Sequence, residues 1–191
     1  MSEQQQSITK HTDWFRVLYQ SLFYAGIILL FFSLFINLEK KTPLLITAYT
    51  ILALTIGMLA TKMYLAMDAR LRTITEVGLG AYLYNFITYL GPVLFILITI
   101  SFTLYLLITY GKNIDLRRVS SQYFTFSNIS LFLMIIQFFI LFAGFETKKF
   151  QTTSKFPSIY ASGIYLVGSI NFFALLIMGY VLSSFTTDGF M

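Results

Sequence analysis

The chain has 191 residues, of which 57% are apolar, 18% aromatic and only 11% charged. A water-soluble domain carries about 25% charged residues, so a single domain of this length cannot hide so much apolar surface in a core of its own, and lipid is its natural solvent. The net charge of +5 would suggest nucleic acid for a soluble chain. Here the lysines and arginines stand at the edges of apolar stretches, where anionic headgroups satisfy them, and no nucleic-acid partner is expected. The absence of cysteine excludes disulfides and thiol chemistry. The one histidine, His11, lies in the polar N-terminal tail, so no metal site or cofactor is expected.

Five stretches contain no charge at all: residues 17–38, 42–61, 77–111, 119–145 and 156–187. About 20 apolar residues in a helix cross the hydrocarbon core of a bilayer. In lipid every backbone group must be satisfied within the segment. The expected fold is an all-α integral membrane protein, a bundle of about five transmembrane helices with short loops. Its expected organisation is a polar tail over 1–16, a helical membrane domain over 17–185 and a polar tail over 186–191.

Residues 1–6, with three consecutive glutamines, read as a disordered start. Asp13 is placed to cap the first span, with Trp14 and Tyr19 at the interface. That span is expected over 15–38; it is longer than the apolar core of a signal peptide and reads as retained. Glu39-Lys40-Lys41 forms a short connection, and Pro43 suits the first turn of the second span. Ala53 and Gly57, four residues apart, would let a neighbouring helix approach closely. Residues 62–76 read as an amphipathic continuation, with Tyr64, Met67, Leu71 and Ile74 on one face. Asp68–Arg72 and Arg72–Glu76 are ion-pair spacings along it. It either extends the second span or lies on the headgroups.

The third stretch, 35 residues long, is too long for one straight crossing. Gly78 and Gly80 mark a loop before it. Pro92 removes an i→i−4 bond and kinks it, and an end near Tyr110 is expected. A loop over 111–126 carries Arg117 and Arg118, and Ser127 and Asn128 are placed to cap the fourth span, which ends near Phe145. A loop with Lys148, Lys149 and Lys155 leads to Pro157 and Ser158, which open the fifth span, ending near Phe185. Five crossings put the termini on opposite sides, and the distribution of Lys and Arg favours a cytosolic N-terminus.

The spans carry no charge that would mark a proton relay or voltage sensor. Their most central polar groups are Gln137 and Asn171, which read as interhelical bridges. No phosphate-binding loop, paired carboxylates or Ser-His-Asp set can be assembled, and no enzymatic activity is expected. Arg117-Arg118-Val119-Ser120 fits a basophilic kinase site, though two arginines beside a span are ordinarily headgroup anchors. Asn128-Ile129-Ser130 fits the glycosylation acceptor pattern, close to the membrane.

The segments Val119-Ser120-Ser121-Gln122-Tyr123-Phe124-Thr125-Phe126-Ser127-Asn128-Ile129-Ser130 and Phe185-Thr186-Thr187-Asp188-Gly189-Phe190 carry a resemblance. Together they resemble small multi-span virion membrane proteins of nucleocytoplasmic large DNA viruses, the giant viruses of algae and amoebae. The similarity covers the C-terminal 80 or so residues best. The resemblance implies a place in the membrane beneath an icosahedral capsid, with capsid and other membrane proteins as partners beside the lipids. It transfers no catalytic residue.

The sequence reading is therefore a non-enzymatic structural protein of a virion or host-derived membrane. Arg117, Arg118, Asp188 and Gly189 are candidate partner contacts on its edges. An oligomeric channel or transport subunit, built by self-association, and an accessory subunit of a large membrane complex are the alternatives.

Overall fold

The structure is a computed structural model that describes residues 3–36, 38–72, 77–111, 116–146 and 158–187. Every regular element among them is helical. In chain order these are α1 (Glu3–Ser33), α2 (Leu38–Arg72), α3 (Leu79–Asn85), a π-helical turn (Phe86–Leu90), α4 (Gly91–Tyr110), α5 (Leu116–Glu146) and α6 (Ser158–Thr187). Five helical stretches are long and apolar enough to cross a membrane: Trp14–Ser33, Lys40–Ala69, Leu79–Tyr110, Thr125–Ala143 and Tyr160–Ser184. The chain is an all-α multi-span bundle.

The helices are longer than the charge-free stretches, because helix formers among polar residues continue a helix that the bilayer does not require. α1 begins at Glu3, so the start is not a disordered tail and Asp13 is interior to the helix, not its cap. The three glutamines there have good helix propensity. α1 ends at Ser33, five residues before the end expected from charge alone, and Leu34–Ile36 form the turn. α2 starts at Leu38, which leaves Pro43 inside the helix instead of in its first turn. α2 then runs unbroken to Arg72, so the amphipathic stretch extends the second span as far as it is described. Arg72 pairs with Asp68 at 2.8 Å; Ile74 and Glu76 lie outside the described residues. α5 starts at Leu116, so the expected loop over 111–126 is mostly helix, and Ser127 and Asn128 sit inside α5 instead of capping it.

The third span is interrupted, one turn before the proline. In a π-turn the carbonyl of residue i meets the N–H of i+5, and Gly91 N–H does donate to Phe86 O. The next carbonyl, Ile87, would need the N–H of Pro92, which has none. The Tyr165 hydroxyl of α6 donates to Ile87 O instead, at 3.1 Å. A Cβ on Gly91 would collide with that hydroxyl, so the bare backbone there is what admits the tyrosine.

α1 packs on α2, α2 on α4, and both α4 and α5 on α6. Each long helix turns a heptad-spaced row inward: Leu45, Ala48, Leu52, Ile56, Leu59 and Met63 on α2, with Val93, Ile96 and Ile100 on α4, all buried. The opposite faces are exposed aromatic and aliphatic side chains such as Phe31, Phe32, Ile108, Phe139 and Phe173, the surface that lipid solvates. α1 and α2 approach closely at Gly26, where a Cβ would stand 2.7 Å from Leu52 Cγ. The seam expected at Ala53 and Gly57 is different. Ala53 packs against the core, but a Cβ on Gly57 would meet nothing within 4 Å.

Candidate functional site

The inward rows are not wholly apolar. Lys41, Thr55, Thr99, Thr103, Ser127, Ser130, Gln137 and Asn171 are all buried. They fall at the same heptad positions as the core leucines, so forming each helix brings them to the bundle axis.

Lys41 is the group that charge patterning misplaces. Its place in the short connection before the second span predicts a headgroup contact, yet it is 0% exposed. Because α2 starts at Leu38, Lys41 stands one helical turn before Leu45 and points the same way. Its Nζ donates to Asn128 Oδ1 at 2.8 Å, tying α2 to α5. The buried amine therefore corrects the expectation that the lysines at the edges of the apolar stretches are satisfied by headgroups. Extending the α2 heptad back by one turn would have found it. The Asn128 side chain that fits a glycosylation pattern is half-buried and engaged with this amine.

Next to that pair lies a cavity of about 10 Å³, lined by Leu45 and Tyr49 of α2, Thr103 and Leu107 of α4, Ser127 and Ser130 of α5, and Leu175 and Met178 of α6. Four helices converge there, and four of the eight lining side chains carry hydroxyls. Gly111, at the end of α4, brings its backbone against α2, where a Cβ would stand 2.7 Å from Thr42 Cγ2.

Two further levels of polar groups lie deeper along the α5–α6 seam. Gln137 is fully buried, and its Nε2 donates to Ile164 O of α6 at 3.3 Å. Gly168 makes room for it, since a Cβ there would collide with Gln137 Nε2 and stand 2.5 Å from Phe95 Cε1. Asn171 is also 0% exposed. The α5–α6 seam pairs Ser130 with Leu175 across the cavity and Gln137 with Ile164, so Asn171 stands at a level between them. The threonines satisfy themselves locally: Thr55 donates to Ile51 O, Thr99 to Phe95 O and Thr103 to Thr99 O, the i−4 bonding available to hydroxyls within a helix.

Of the other residues singled out from sequence, Pro92 is buried at the start of α4. Arg117 and Arg118 fall in the first turn of α5, their side chains outside the described residues. Asp188 and Gly189, and the lysines of the loop before α6, also lie outside them.

The Lys41–Asn128 contact makes a test of this end of the bundle. A hydrogen bond to a charged group contributes about 1.5–3 kcal/mol, so Lys41→Met should lower stability in mixed-micelle unfolding by about that amount. Asn128→Leu should cost a similar amount, and the double variant should cost clearly less than the two added together. Strict additivity would mean that the contact contributes nothing.

No family model, curated protein or solved structure matches the chain.

Proposed function

We propose that the chain is a non-enzymatic structural protein of a membrane, holding its place by five crossings and meeting protein partners at its edges. The observation that carries this reading is the use to which the inward rows are put. Leucines, isoleucines and methionines of α2, α4, α5 and α6 fill the axis at near-zero exposure, and the polar groups among them bond mostly to neighbouring helices or to their own. The lipid-facing sides offer no hydrophobic gain against a water-soluble partner, so recognition falls to the polar ends, among them residues 111–126 and 186–191. In its finer form the proposal places the chain in the inner membrane of a large DNA virus virion, against capsid protein. The sequence resemblance at 119–130 and 185–190 supports that placement.

The runner-up, an oligomeric conducting subunit, draws support from the uncharged polar groups along the axis, since selectivity can be built without charges. Two measurements separate the readings. Purified protein in liposomes should pass no more ion or solute than empty liposomes, whereas a saturable flux would favour the runner-up. A chain lacking residues 186–191 should insert normally yet enter the parent particle or complex less efficiently. Wild-type assembly of the truncated chain would remove the C-terminal end from the proposed contacts.

A further inference from the structure

Four polar atoms of α5 and α6 have no partner among the described residues: Ser130 Oγ, Gln137 Oε1, and both Nδ2 and Oδ1 of Asn171. Their residues are 3%, 0% and 0% exposed. Buried side-chain polar atoms are bonded in the large majority of cases, and leaving one unmet in a low-dielectric interior is costly. The buried threonines of α2 and α4 all donate to their own helix. An amide is only partly met that way: Asn85 Nδ2 donates to Ala81 O at 2.8 Å, but one such bond would still leave Asn171 a second N–H and a carbonyl oxygen with two lone pairs to satisfy.

From Ser130 to Gln137 is seven residues of α5, about 10 Å of rise, with Asn171 entering from α6 between the two levels. At about 2.8 Å per hydrogen bond, that distance takes one small bridging molecule on each side of Asn171. The molecule must donate and accept at once. It donates to the acceptors Gln137 Oε1 and Asn171 Oδ1, accepts from the donor Asn171 Nδ2, and pairs with Ser130 Oγ, which both donates and accepts. No charged group is among the four atoms, so an ion is disfavoured. The cavity beside Ser130, about 10 Å³, is at the lower limit of the space one water needs.

We infer that the α5–α6 seam is an internal water-binding site, in which waters bridge Ser130 Oγ to Asn171 and Asn171 to Gln137 Oε1. The waters are structural members of the bundle, meeting four polar atoms on two helices that have no partner among the described residues. The inference stands independently of the proposed function, because a structural protein and a conducting one could equally hold them.

The test uses the full chain, labelled with ¹⁵N, in phosphatidylcholine liposomes. Water-edited solid-state NMR reads the transfer of magnetisation from water to the side-chain amides, which are assigned by their disappearance in Asn171→Leu and Gln137→Leu. Transfer to the Asn171 amide several-fold faster than to the backbone amide of Ile100, buried on α4, is the expected result. Transfer no faster than at Ile100 would overturn the inference. Thermal unfolding gives a second readout that does not depend on assignment. Asn171→Leu should lower the Tm if bridging waters are lost with the amide; a raised Tm, as expected when a dry unmet amide is replaced by an apolar group, would also overturn it.

Discussion

Phe23→Ala should cost about 3–5 kcal/mol, the range for removing a buried phenylalanine, and should loosen the first helix from the bundle. Phe23 is buried on α1. Its ring stacks on Phe142 of α5 with centroids 3.5 Å apart and meets Phe138 of the same helix edge-on at 5.7 Å. α1 otherwise packs chiefly on α2, through Gly26 against Leu52 and through the Tyr19 ring, over which Lys62 Nζ sits at 5.3 Å from the centroid. The aromatic cluster is therefore what ties α1 across to α5. The only tryptophan, Trp14, is on α1, so its fluorescence reports that helix without labelling. Unfolding in mixed micelles should show the Trp14 transition moving to milder conditions in Phe23→Ala. Phe139→Ala, which removes a ring 60% exposed on α5, should stay within about 0.5 kcal/mol of wild type. Equal effects from the two substitutions would mean that α1 is not held by this cluster.

Gly168→Val should be the most damaging small-residue substitution on α6. A Cβ there collides with the Gln137 amide and crowds Phe95. Overpacking costs about 1–3 kcal/mol. Displacing Gln137 from Ile164 O adds the cost of a buried amide left unmet, about 1–3 kcal/mol. A total of about 2–6 kcal/mol is expected from the two terms. Gly57→Ala is the control. Nothing lies within 4 Å of a Cβ at that position, so alanine should be neutral or slightly stabilising through its better helix propensity. Unfolding midpoints of both variants, measured side by side, check the pair, and the ranking fails if Gly57→Ala proves the more harmful.

The contrast between these glycines shows what the sequence could and could not disclose. Charge-free stretches of more than about 20 residues are dictated by the solvent, which is why the five spans, and the break in the third, were legible. Spacing between small residues was a poor guide. Ala53 and Gly57 have the separation of a packing motif, but which face of α2 meets a neighbour is set by the whole bundle. The close approaches to neighbouring helices fall at Gly26, Gly91, Gly111 and Gly168, none of which stands in such a pair. Gln137 and Asn171 stood out as amides within apolar runs. Their different circumstances, one bonded to Ile164 O and the other without a partner among the described residues, depend on helix register that no single helix encodes. Lys41 was misplaced for a related reason. A lysine beside a span boundary normally reaches the headgroups, and only the start of α2 at Leu38 turns this one inward.

The wide turn at Phe86–Leu90 gives the third span two parts with different duties. The 20 residues of α4 rise about 30 Å, enough to traverse the hydrocarbon core unaided. α3 has no buried residue and adds nothing to that traverse. An α-helix advances by about 100° and 1.5 Å per residue, so resorbing the single extra residue of the π-turn would swivel Tyr82 and Tyr84 through about 100° about the helix axis while shifting them only about 1.5 Å along it. α4 would remain where it is. The proline that denies Ile87 its partner and the tyrosine that supplies another therefore fix the wide turn, and with it the direction in which the short α3 presents Tyr82 and Tyr84.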